Sequence, residues 1–257
     1  MLKIGYMKYI NFFPIFWNLE QKSEYNFVYG VPSELNRLMR NNELDVSPVS
    51  SLEYVSQPEK YRILDGIGLC AEKKVKSVLL QSAYPIENLE GKKINITGQS
   101  LTSAHLLRVI LEKFYNIKPS YAYHNQPADA RLLIGDEALK AYYERNTEYT
   151  YDLAELWHKF TGLPFVFSLW LISAEAAEKP EAKSLYASLR QISSTVHEKV
   201  DFYADQYILR SNAFSREQLT EYWRALYYTV NSKEINGLDL YYKMLGYDPQ
   251  RYYYSGI

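Results

Sequence analysis

Short apolar runs alternate with amphipathic segments along the first third of the chain. Pro14 and Pro32 stand where the first turn of a helix would begin, because the missing N–H of proline costs nothing at that position. Strands that alternate with helices at this spacing are typical of βαβ units in a mainly parallel sheet. The strand-like runs lie at 3–7, 25–29 and 45–49, and helical spacing begins at 32 and 52.

The pattern changes after residue 60, and the change predicts a second lobe. Segments 61–69 and 75–81 have the pattern of two strands with little helix between them, and a new strand–helix alternation begins at 94. From 179 to the end the spacing is helical, and Gly237 and Gly246 are expected to end helices. Two α/β cycles joined by a strand pair favour an α/β fold of two lobes with a ligand cleft between them, the layout of type 2 periplasmic binding proteins. Lobe 1 is expected to contain residues 1–90 and 178–257 and lobe 2 residues 91–177, with crossings near 82–93 and 170–180.

One junction between a strand and a helix is well defined. Apolar residues 132–134 run into Gly135 and Asp136 and then into a helix-forming segment. In open α/β sheets, ligands bind at the carboxyl ends of strands, where helix N-termini present free N–H groups. Asp136 has two interpretations, a helix N-cap and a ligand-facing carboxylate.

Hydroxyl residues mark two further predicted helix starts. Ser50 ends a strand, and Ser100, Thr102 and Ser103 stand at the beginning of a helix. Backbone N–H groups and the helix dipole both favour negative charge there, so several such starts facing one cleft would form a carboxylate site. The alternative for each residue is ordinary helix capping.

Two polar residues stand in apolar surroundings. Asn11 follows the first strand among aromatic residues, which fits either an Asx-turn or a hydrogen bond to a ligand. Ser77 interrupts the apolar run 75–81 and would either bond within the sheet or face the cleft.

Composition narrows the classes of partner. The 29 basic and 30 acidic residues are mixed along the chain, which argues against binding to nucleic acid. The apolar runs are too short to cross a membrane, and residues 1–6 are expected to form a strand rather than a secretory signal. The single cysteine, Cys70, fits the reducing cytoplasm and a buried packing role.

Sequence motifs for metals and nucleotides are missing. The four histidines (His105, His124, His158 and His197) have no metal-binding spacing, and no CxxC or glycine-rich phosphate loop occurs. We therefore expect neither a metal site nor a nucleotide cofactor. Many of the 26 tyrosines lie in the last third of the chain, where they suggest helix packing.

With these residues in view, the chain resembles the chorismate dehydratase family of the futalosine route to menaquinone, almost from end to end. The resemblance rests on Asn11-x-x-Pro14, Ser77, Ser100-x-Thr102-Ser103, the segment 133–139, and the segment 157–170 with its Thr161-Gly162-Leu163-Pro164 core. It implies the two-lobed fold and the loss of water from chorismate, a dicarboxylate, to give 3-[(1-carboxyvinyl)oxy]benzoate without a cofactor.

The resemblance also implies roles for individual residues. Asn11 and Ser77 align with residues implicated in catalysis, whereas Ser50, Ser100, Thr102, Ser103, Gly135 and Asp136 are expected to bind substrate. Neither an asparagine nor a serine is a good base at neutral pH, so we expect a substrate carboxylate to take the proton. Asp136 is expected to cap its helix and to hold ligand-facing N–H groups in place. Leu101 departs from the family pattern, which usually has arginine there.

Three alternatives remain at this point. The first is the related family of 1,4-dihydroxy-6-naphthoate synthases, which share the fold and use a histidine base, although no histidine here has a matching context. The second is a protein that binds a small anion without converting it, against which the missing signal and lipid-anchor cysteine argue. The third is a regulatory ligand-binding domain, but no DNA-binding segment is evident.

Overall fold

The computed structural model describes residues 1–22, 25–123 and 126–256 of the 257-residue chain. His124 therefore lies outside the described residues. The described chain forms two mixed β-sheets with helices packed around them. The strands are β1 Lys3–Met7, β2 Asn26–Gly30, β3 Val46–Ser50, β4 Tyr61–Ala71, β5 Val78–Ser82, β6 Lys93–Asn95, β7 Ser120–Ala122, β8 Ala130–Ile134, β9 Tyr149–Asp152, β10 Phe165–Ser173, β11 Leu226–Thr229 and β12 Tyr253–Tyr254.

The seven-stranded sheet belongs to lobe 1 and has the order β11-β4-β10-β3-β1-β2, with β12 added beside β4. β1 pairs in parallel with β2 and β3, as the βαβ pattern predicted. β10, in contrast, runs antiparallel to both β3 and β4, and β11 runs antiparallel to β4. The expectation of a mainly parallel sheet is therefore wrong, because β10, which returns from lobe 2, and β11 of the tail run opposite to their neighbours, although β12 pairs in parallel with β4.

The five-stranded sheet belongs to lobe 2 and has the order β7-β6-β8-β5-β9. β6 pairs in parallel with β7 and β8, whereas β5 is antiparallel to both β8 and β9. In the register of β5 and β8, Val78 lies opposite Ile134, so the segment of Ser77 meets the junction at Gly135.

The strand pairing moves both expected crossings between the lobes. β5 was expected in lobe 1 and pairs in the lobe 2 sheet, and β10 was expected in lobe 2 and pairs in the lobe 1 sheet. The chain therefore crosses at 72–77 and returns at 162–164. Both strands are buried apolar runs, and such a run carries no mark of the sheet it joins, because its partners are distant in sequence.

Ten α-helices occur in the described residues: α1 Phe13–Leu19, α2 Pro32–Arg40, α3 Leu101–Val109, α4 Gly135–Glu144, α5 Leu153–Thr161, α6 Ala174–Ala177, α7 Pro180–Thr195, α8 Val200–Ile208, α9 Arg216–Ala225 and α10 Ser232–Met244. A 3₁₀ turn precedes α1 at Ile10–Phe12, another covers Ser51–Ser56, and a π-helical turn extends α3 over Ile110–Phe114. Pro14 and Pro32 begin α1 and α2 as predicted.

The tail is not entirely helical, since it also contains β11 and β12. Gly237 was expected to stop a helix and instead lies inside α10, where a Cβ would collide with the carbonyl oxygen of Pro164. Glycine at this position therefore allows α10 to pack directly on the return segment and does not end the helix. Gly246, by comparison, follows α10 with φ of 81°.

The conspicuous motif at 157–164 builds this return to lobe 1. The Trp157 indole N–H donates to the carbonyl oxygen of Pro164 (3.2 Å), and the Thr161 hydroxyl donates to the carbonyl oxygen of Trp157 (2.8 Å). Gly162 ends α5 in the left-handed region with φ of 69°. The motif is therefore structural: it turns the chain from α5 into β10.

Candidate active site

A small cavity of about 60 Å³ lies between the two sheets. Six of the eight residues predicted to form the site line it: Asn11, Ser50, Ser77, Ser100, Ser103 and Gly135. Apolar side chains complete most of the remaining wall, among them Phe12, Leu69, Val78, Ile134 and Phe167. The elements that supply these residues come from both lobes, so the cavity is the predicted cleft.

Asn11 lies in the 3₁₀ turn that joins β1 to α1, and the rest of the protein holds the backbone of that turn. The Trp223 indole N–H donates to the carbonyl oxygen of Ile10 (2.9 Å), and the Tyr228 hydroxyl donates to the carbonyl oxygen of Asn11 (2.6 Å). The Asn11 side-chain oxygen, although buried, has no hydrogen-bond partner among the described residues. An Asx-turn would use this oxygen, so the structure favours the interpretation of Asn11 as a ligand-binding residue.

Ser77 lies directly before β5 and not within the strand that the sequence predicted. Its hydroxyl oxygen accepts a hydrogen bond from the buried Tyr222 hydroxyl (2.8 Å), and its own proton is directed to the carbonyl oxygen of Val75 at 3.3 Å. Its backbone carbonyl accepts from the N–H of Gly135 (2.8 Å). Ser77 is thus fixed to the strand–helix junction of lobe 2 and to the tail at the same time.

The crossing segment before Ser77 is held by Asp152, the N-cap of α5. Besides its own helix, the Asp152 carboxylate accepts from the N–H groups of Val75 (3.0 Å) and Lys76 (2.7 Å). Burial raises the pKa of Asp152 to about 6, against the opposing effect of these N–H donors. Lys76 has a left-handed backbone, with φ of 58°, and its buried ammonium pairs with Glu221 at 2.6 Å. The short segment that ends at Ser77 is therefore rigidly placed.

The start of α3 combines capping with a place on the cavity wall. The Ser100 hydroxyl oxygen accepts from the N–H of Ser103 (3.3 Å) and its proton is donated to the Ser103 hydroxyl (2.9 Å). Ser50 lines the cavity from lobe 1, where its N–H donates to the side-chain oxygen of Asn36 (3.3 Å). The two interpretations of Ser100 are thus compatible, because it caps α3 and also faces the cavity.

Thr102 was expected to bind substrate, but the structure places it outside the cavity lining. Its fully buried hydroxyl lies 3.3 Å from the Ser51 hydroxyl and accepts from the N–H of Leu52 (3.1 Å). The Tyr241 hydroxyl donates to its carbonyl oxygen (3.0 Å). Because Leu52 and Ser51 belong to lobe 1, Thr102 joins the two lobes rather than contacting a ligand.

Asp136 also lies outside the cavity lining, and it does not cap α4. The N-cap position belongs to Ile134, and the Asp136 carboxylate accepts from the N–H of Ile10 across the cleft (3.0 Å). Burial raises the pKa of Asp136. Its structural role is therefore to tie the turn of Asn11 to the first turn of α4, a tertiary contact that the sequence pattern did not reveal.

Tyr9 closes the cavity on the side of Gly135. Its hydroxyl donates to the side-chain oxygen of Gln99 in lobe 2 (2.6 Å), and burial raises its pKa to about 12. Gly135 has φ of 62°, and a Cβ added there would lie 3.2 Å from the Tyr9 ring. Glycine is required at this position both by the backbone conformation and by the close approach of the ring.

The electrostatic character of the cavity comes from the backbone. None of the residues lining it in the described part of the chain carries a charged side chain, while α3 and α4 both begin at its wall. Their N-terminal N–H groups favour a bound carboxylate. Within residues 1–22, 25–123 and 126–256, no cluster of three His, Cys, Asp or Glu residues could hold a metal ion, and no helix is long and apolar enough to span a membrane.

Comparison with known families decides how this cavity is classified. The model of a family described as menaquinone biosynthesis matches residues 2–247. The chain belongs to the menaquinone biosynthesis family. Among the relatives of this family member is the chorismate dehydratase of Campylobacter jejuni, 28% identical over 93% of this chain and 95% of its own length. The chorismate dehydratase of Thermus thermophilus is 30% identical over 73% of this chain and 74% of its own length.

Solved structures confirm the predicted periplasmic-binding-protein-like fold for this member of the menaquinone biosynthesis family. A protein from Archaeoglobus fulgidus superposes with a TM-score of 0.73 at 18% identity, covering 95% of this chain and 96% of its own. A Candida albicans protein described as having the generic periplasmic binding protein fold gives 0.66 at 13% identity, covering 97% and 91%. The alkanesulfonate-binding protein of Xanthomonas axonopodis pv. citri, bound to MOPS, also gives 0.66, at 16% identity, covering 98% and 96%.

Sequence reasoning missed several residues that build the site of this family member. Tyr222 and Tyr228 reach Ser77 and Asn11 from the tail, and Tyr9 and Asp152 place Gly135 and the crossing segment. Asp152 carried a usable signal, since an acidic residue directly before a helical segment is a common N-cap. Tyr222 and Tyr228 carried none, because nothing in the sequence distinguishes them from the other tyrosines of the tail.

Proposed function

We propose that this protein is a chorismate dehydratase, a hydro-lyase of menaquinone biosynthesis that converts chorismate to 3-[(1-carboxyvinyl)oxy]benzoate and water. The observation that supports this most strongly is the cavity that joins Asn11 and Ser77. It presents an amide oxygen that has no partner among the described residues, and a hydroxyl bound by a tyrosine, in a largely apolar wall. Membership of the menaquinone biosynthesis family and two relatives named chorismate dehydratase support the same activity.

The cavity suits an elimination in which the substrate provides much of the chemistry. The reaction breaks the bond between the ring carbon and its hydroxyl and removes a proton from the neighbouring carbon, and the ring becomes aromatic. No strong base lines the cavity in the described part of the chain. We infer that a carboxylate of the substrate takes the proton, which a narrow cavity that fixes the geometry and excludes water would favour.

In this proposal Asn11 orients the substrate and Ser77 hydrogen-bonds the group that leaves. The Asn11 amide oxygen is buried and has no partner in the part of the chain that the structure describes, and it would gain one from a substrate hydroxyl. Ser77 accepts a hydrogen bond from Tyr222, and its own proton, directed to the carbonyl oxygen of Val75 at 3.3 Å, would turn to an oxygen of the substrate. Ser50, Ser100, Ser103 and Gly135 are proposed to bind the substrate, because they place hydroxyl and backbone groups on the same wall.

The two carboxylates are proposed to lie at the N-termini of α3 and α4. Leu101, the first residue of α3, is 43% exposed and cannot donate to an anion through its side chain. Binding would therefore depend on backbone N–H and hydroxyl groups rather than on a cation at this position.

A cytoplasmic location stays a prediction, as does the independence from a cofactor.

The test is to incubate the purified protein with chorismate and to follow the products by mass and ultraviolet absorbance. Loss of the mass of one water, together with an aromatic absorbance spectrum, would establish the activity. Binding without conversion would instead indicate an anion-binding protein, and no interaction at all would refute the proposal.

Single substitutions test the two catalytic assignments. Asn11→Ala and Ser77→Ala are each expected to lower kcat by about 100-fold or more, in the range seen when one transition-state hydrogen bond is removed. Ser184→Ala is the matched control, since among the described residues this hydroxyl bonds only to the carbonyl oxygen of Glu181 on the surface of α7. Near-normal turnover in either active-site variant would contradict its assigned role.

A further inference from the structure

Tyr222, in the tail of the chain, contacts Ser77. It lies on α9, it is fully buried, and its hydroxyl lies 2.8 Å from the Ser77 oxygen. In the described part of the chain this oxygen is the one hydrogen-bond partner of the Tyr222 hydroxyl. A buried hydroxyl with a single partner has its direction fixed by that partner.

Other bonds hold α9 in place against lobe 2. The Tyr143 hydroxyl of α4 shares its single proton between the carbonyl oxygen of Gln218 (2.9 Å) and the Glu221 carboxylate (3.0 Å). The same Glu221 carboxylate pairs with Lys76, the residue before Ser77 (2.6 Å). The separation between Tyr222 and Ser77 is therefore set by bonds on both sides of the pair.

The chemistry of the two hydroxyls decides the direction of the hydrogen bond. A phenol is a stronger donor than an aliphatic alcohol, and burial raises the pKa of Tyr222, so that its proton is retained. Ser77 therefore accepts from Tyr222 and keeps its own proton for donation. That proton is directed to the carbonyl oxygen of Val75 at 3.3 Å, a long bond that a better acceptor in the cavity would replace.

We propose that Tyr222 is a positioning residue that fixes the Ser77 hydroxyl as a hydrogen-bond donor toward the cavity. The inference rests on the proposed function and assigns the direction of the bond. When the carbon–oxygen bond of the substrate breaks, its electron pair moves to the departing oxygen. A donor at that oxygen stabilises the charge that develops there, and Ser77 keeps its proton throughout. The departing hydroxide takes the proton that the substrate carboxylate removed from the ring, which completes the water. Without the Tyr222 hydroxyl, the Ser77 hydroxyl is free to rotate and to present its oxygen, rather than its proton, to the substrate.

A double-mutant cycle tests this inference, because a residue that acts through Ser77 has nothing to act on once that hydroxyl is removed. Tyr222→Phe is expected to lower kcat about tenfold and to change the KM for chorismate less than twofold. In the Ser77→Ala background, the same substitution is expected to change kcat less than twofold. Long incubations at high enzyme concentration, with the aromatic product measured by mass, make slow residual rates measurable.

A control variant separates this role of Tyr222 from a general effect of losing a buried tyrosine hydroxyl. Tyr203→Phe is the matched control, since Tyr203 is also buried in the tail and its hydroxyl bonds to Asn18, away from the cavity; its kcat is expected to stay within twofold of wild type. If Tyr222→Phe causes an equal loss with and without the Ser77 hydroxyl, Tyr222 has a purely structural role and the inference is overturned. If the unmodified protein does not convert chorismate, the proposed function fails and the inference that rests on it fails as well, whereas conversion with equal losses in both backgrounds overturns the inference alone.

Discussion

Gly135→Ala is expected to have two effects: backbone strain lowers the stability of the protein, and a new contact with Tyr9 raises the KM for chorismate. Gly135 has φ of 62°, a region that costs an L-residue about 1–2 kcal/mol. Alanine also loses less conformational entropy than glycine on folding, which offsets about 0.4–1 kcal/mol. The strain alone is therefore expected to cost about 1 kcal/mol, or a decrease in Tm of about 2–4 °C for a chain of this size.

The new methyl group has a second effect at this position. Its carbon would lie 3.2 Å from the Tyr9 ring, so the ring must move by a few tenths of an ångström. The Tyr9 hydroxyl is bound to Gln99 of lobe 2 at 2.6 Å, and this movement weakens that bond between the lobes. The loss of a net hydrogen bond of about 1 kcal/mol corresponds to an increase of about fivefold to tenfold in the KM for chorismate.

Gly162→Ala is the matched control for this prediction. Gly162 has nearly the same backbone conformation, with φ of 69°, and no described atom lies within 4 Å of a Cβ added there. Both variants are expected to lose stability, as measured by thermal unfolding, whereas the increase in KM is expected only for Gly135→Ala. If the two variants have equal KM values, Tyr9 does not control closure of the cavity at Gly135, and the reasoning is refuted.

Two further predictions concern buried carboxylates. Asp136→Ala leaves the N–H of Ile10 without its acceptor and is expected to lower the free energy of unfolding, measured by chemical denaturation, by about 1–3 kcal/mol. Asp136→Asn keeps an acceptor oxygen and is expected to lower it less. Equal losses in the two variants would contradict the importance of this bond. For Asp152, the pKa of about 6 in the folded protein exceeds that of a free aspartate, so the folded state binds more protons between about pH 4 and 6. The free energy of unfolding is therefore expected to fall as pH rises through this window, and less steeply in Asp152→Asn; identical slopes, measured by denaturation at each pH, would show that Asp152 does not titrate there.

Much of the cavity wall followed from local sequence signals. Asn11, Ser77 and Gly135 each stand where an apolar run gives way to a polar or flexible residue, and Ser100 precedes a helix start. Such signals are local, since the end of a strand and the cap of a helix depend on a few neighbouring residues. The predicted two-lobed fold rested on the same alternation of apolar runs and helices, together with the family resemblance.

The residues that support this wall could not be predicted in the same way. Tyr222 is 145 positions from Ser77, and Tyr228 is 217 positions from Asn11. In the sequence these two residues are indistinguishable from the other tyrosines of the tail. Which of them meets the active site depends on how α9 and β11 pack, and that packing joins parts of the chain distant from one another.

Asp136 illustrates the boundary between the two kinds of information. Its position after a strand and before a helix predicted a helix cap, and the structure instead directs its carboxylate across the cleft to Ile10. The same limit applies to β5 and β10, whose apolar runs were predicted and whose sheets were not. A run of apolar residues specifies burial, but not the partner against which it is buried.

The sequence alone therefore determined where strands and helices meet, and which polar groups stand at those junctions, because local backbone preferences decide both. Only the tertiary structure decided that Asn11 and Ser77 share one cavity, that Thr102 and Asp136 join the lobes instead of lining it, and that Tyr222 bonds to Ser77. These outcomes depend on the pairing of distant strands and helices, whose energies come from contacts between residues that no local pattern brings together.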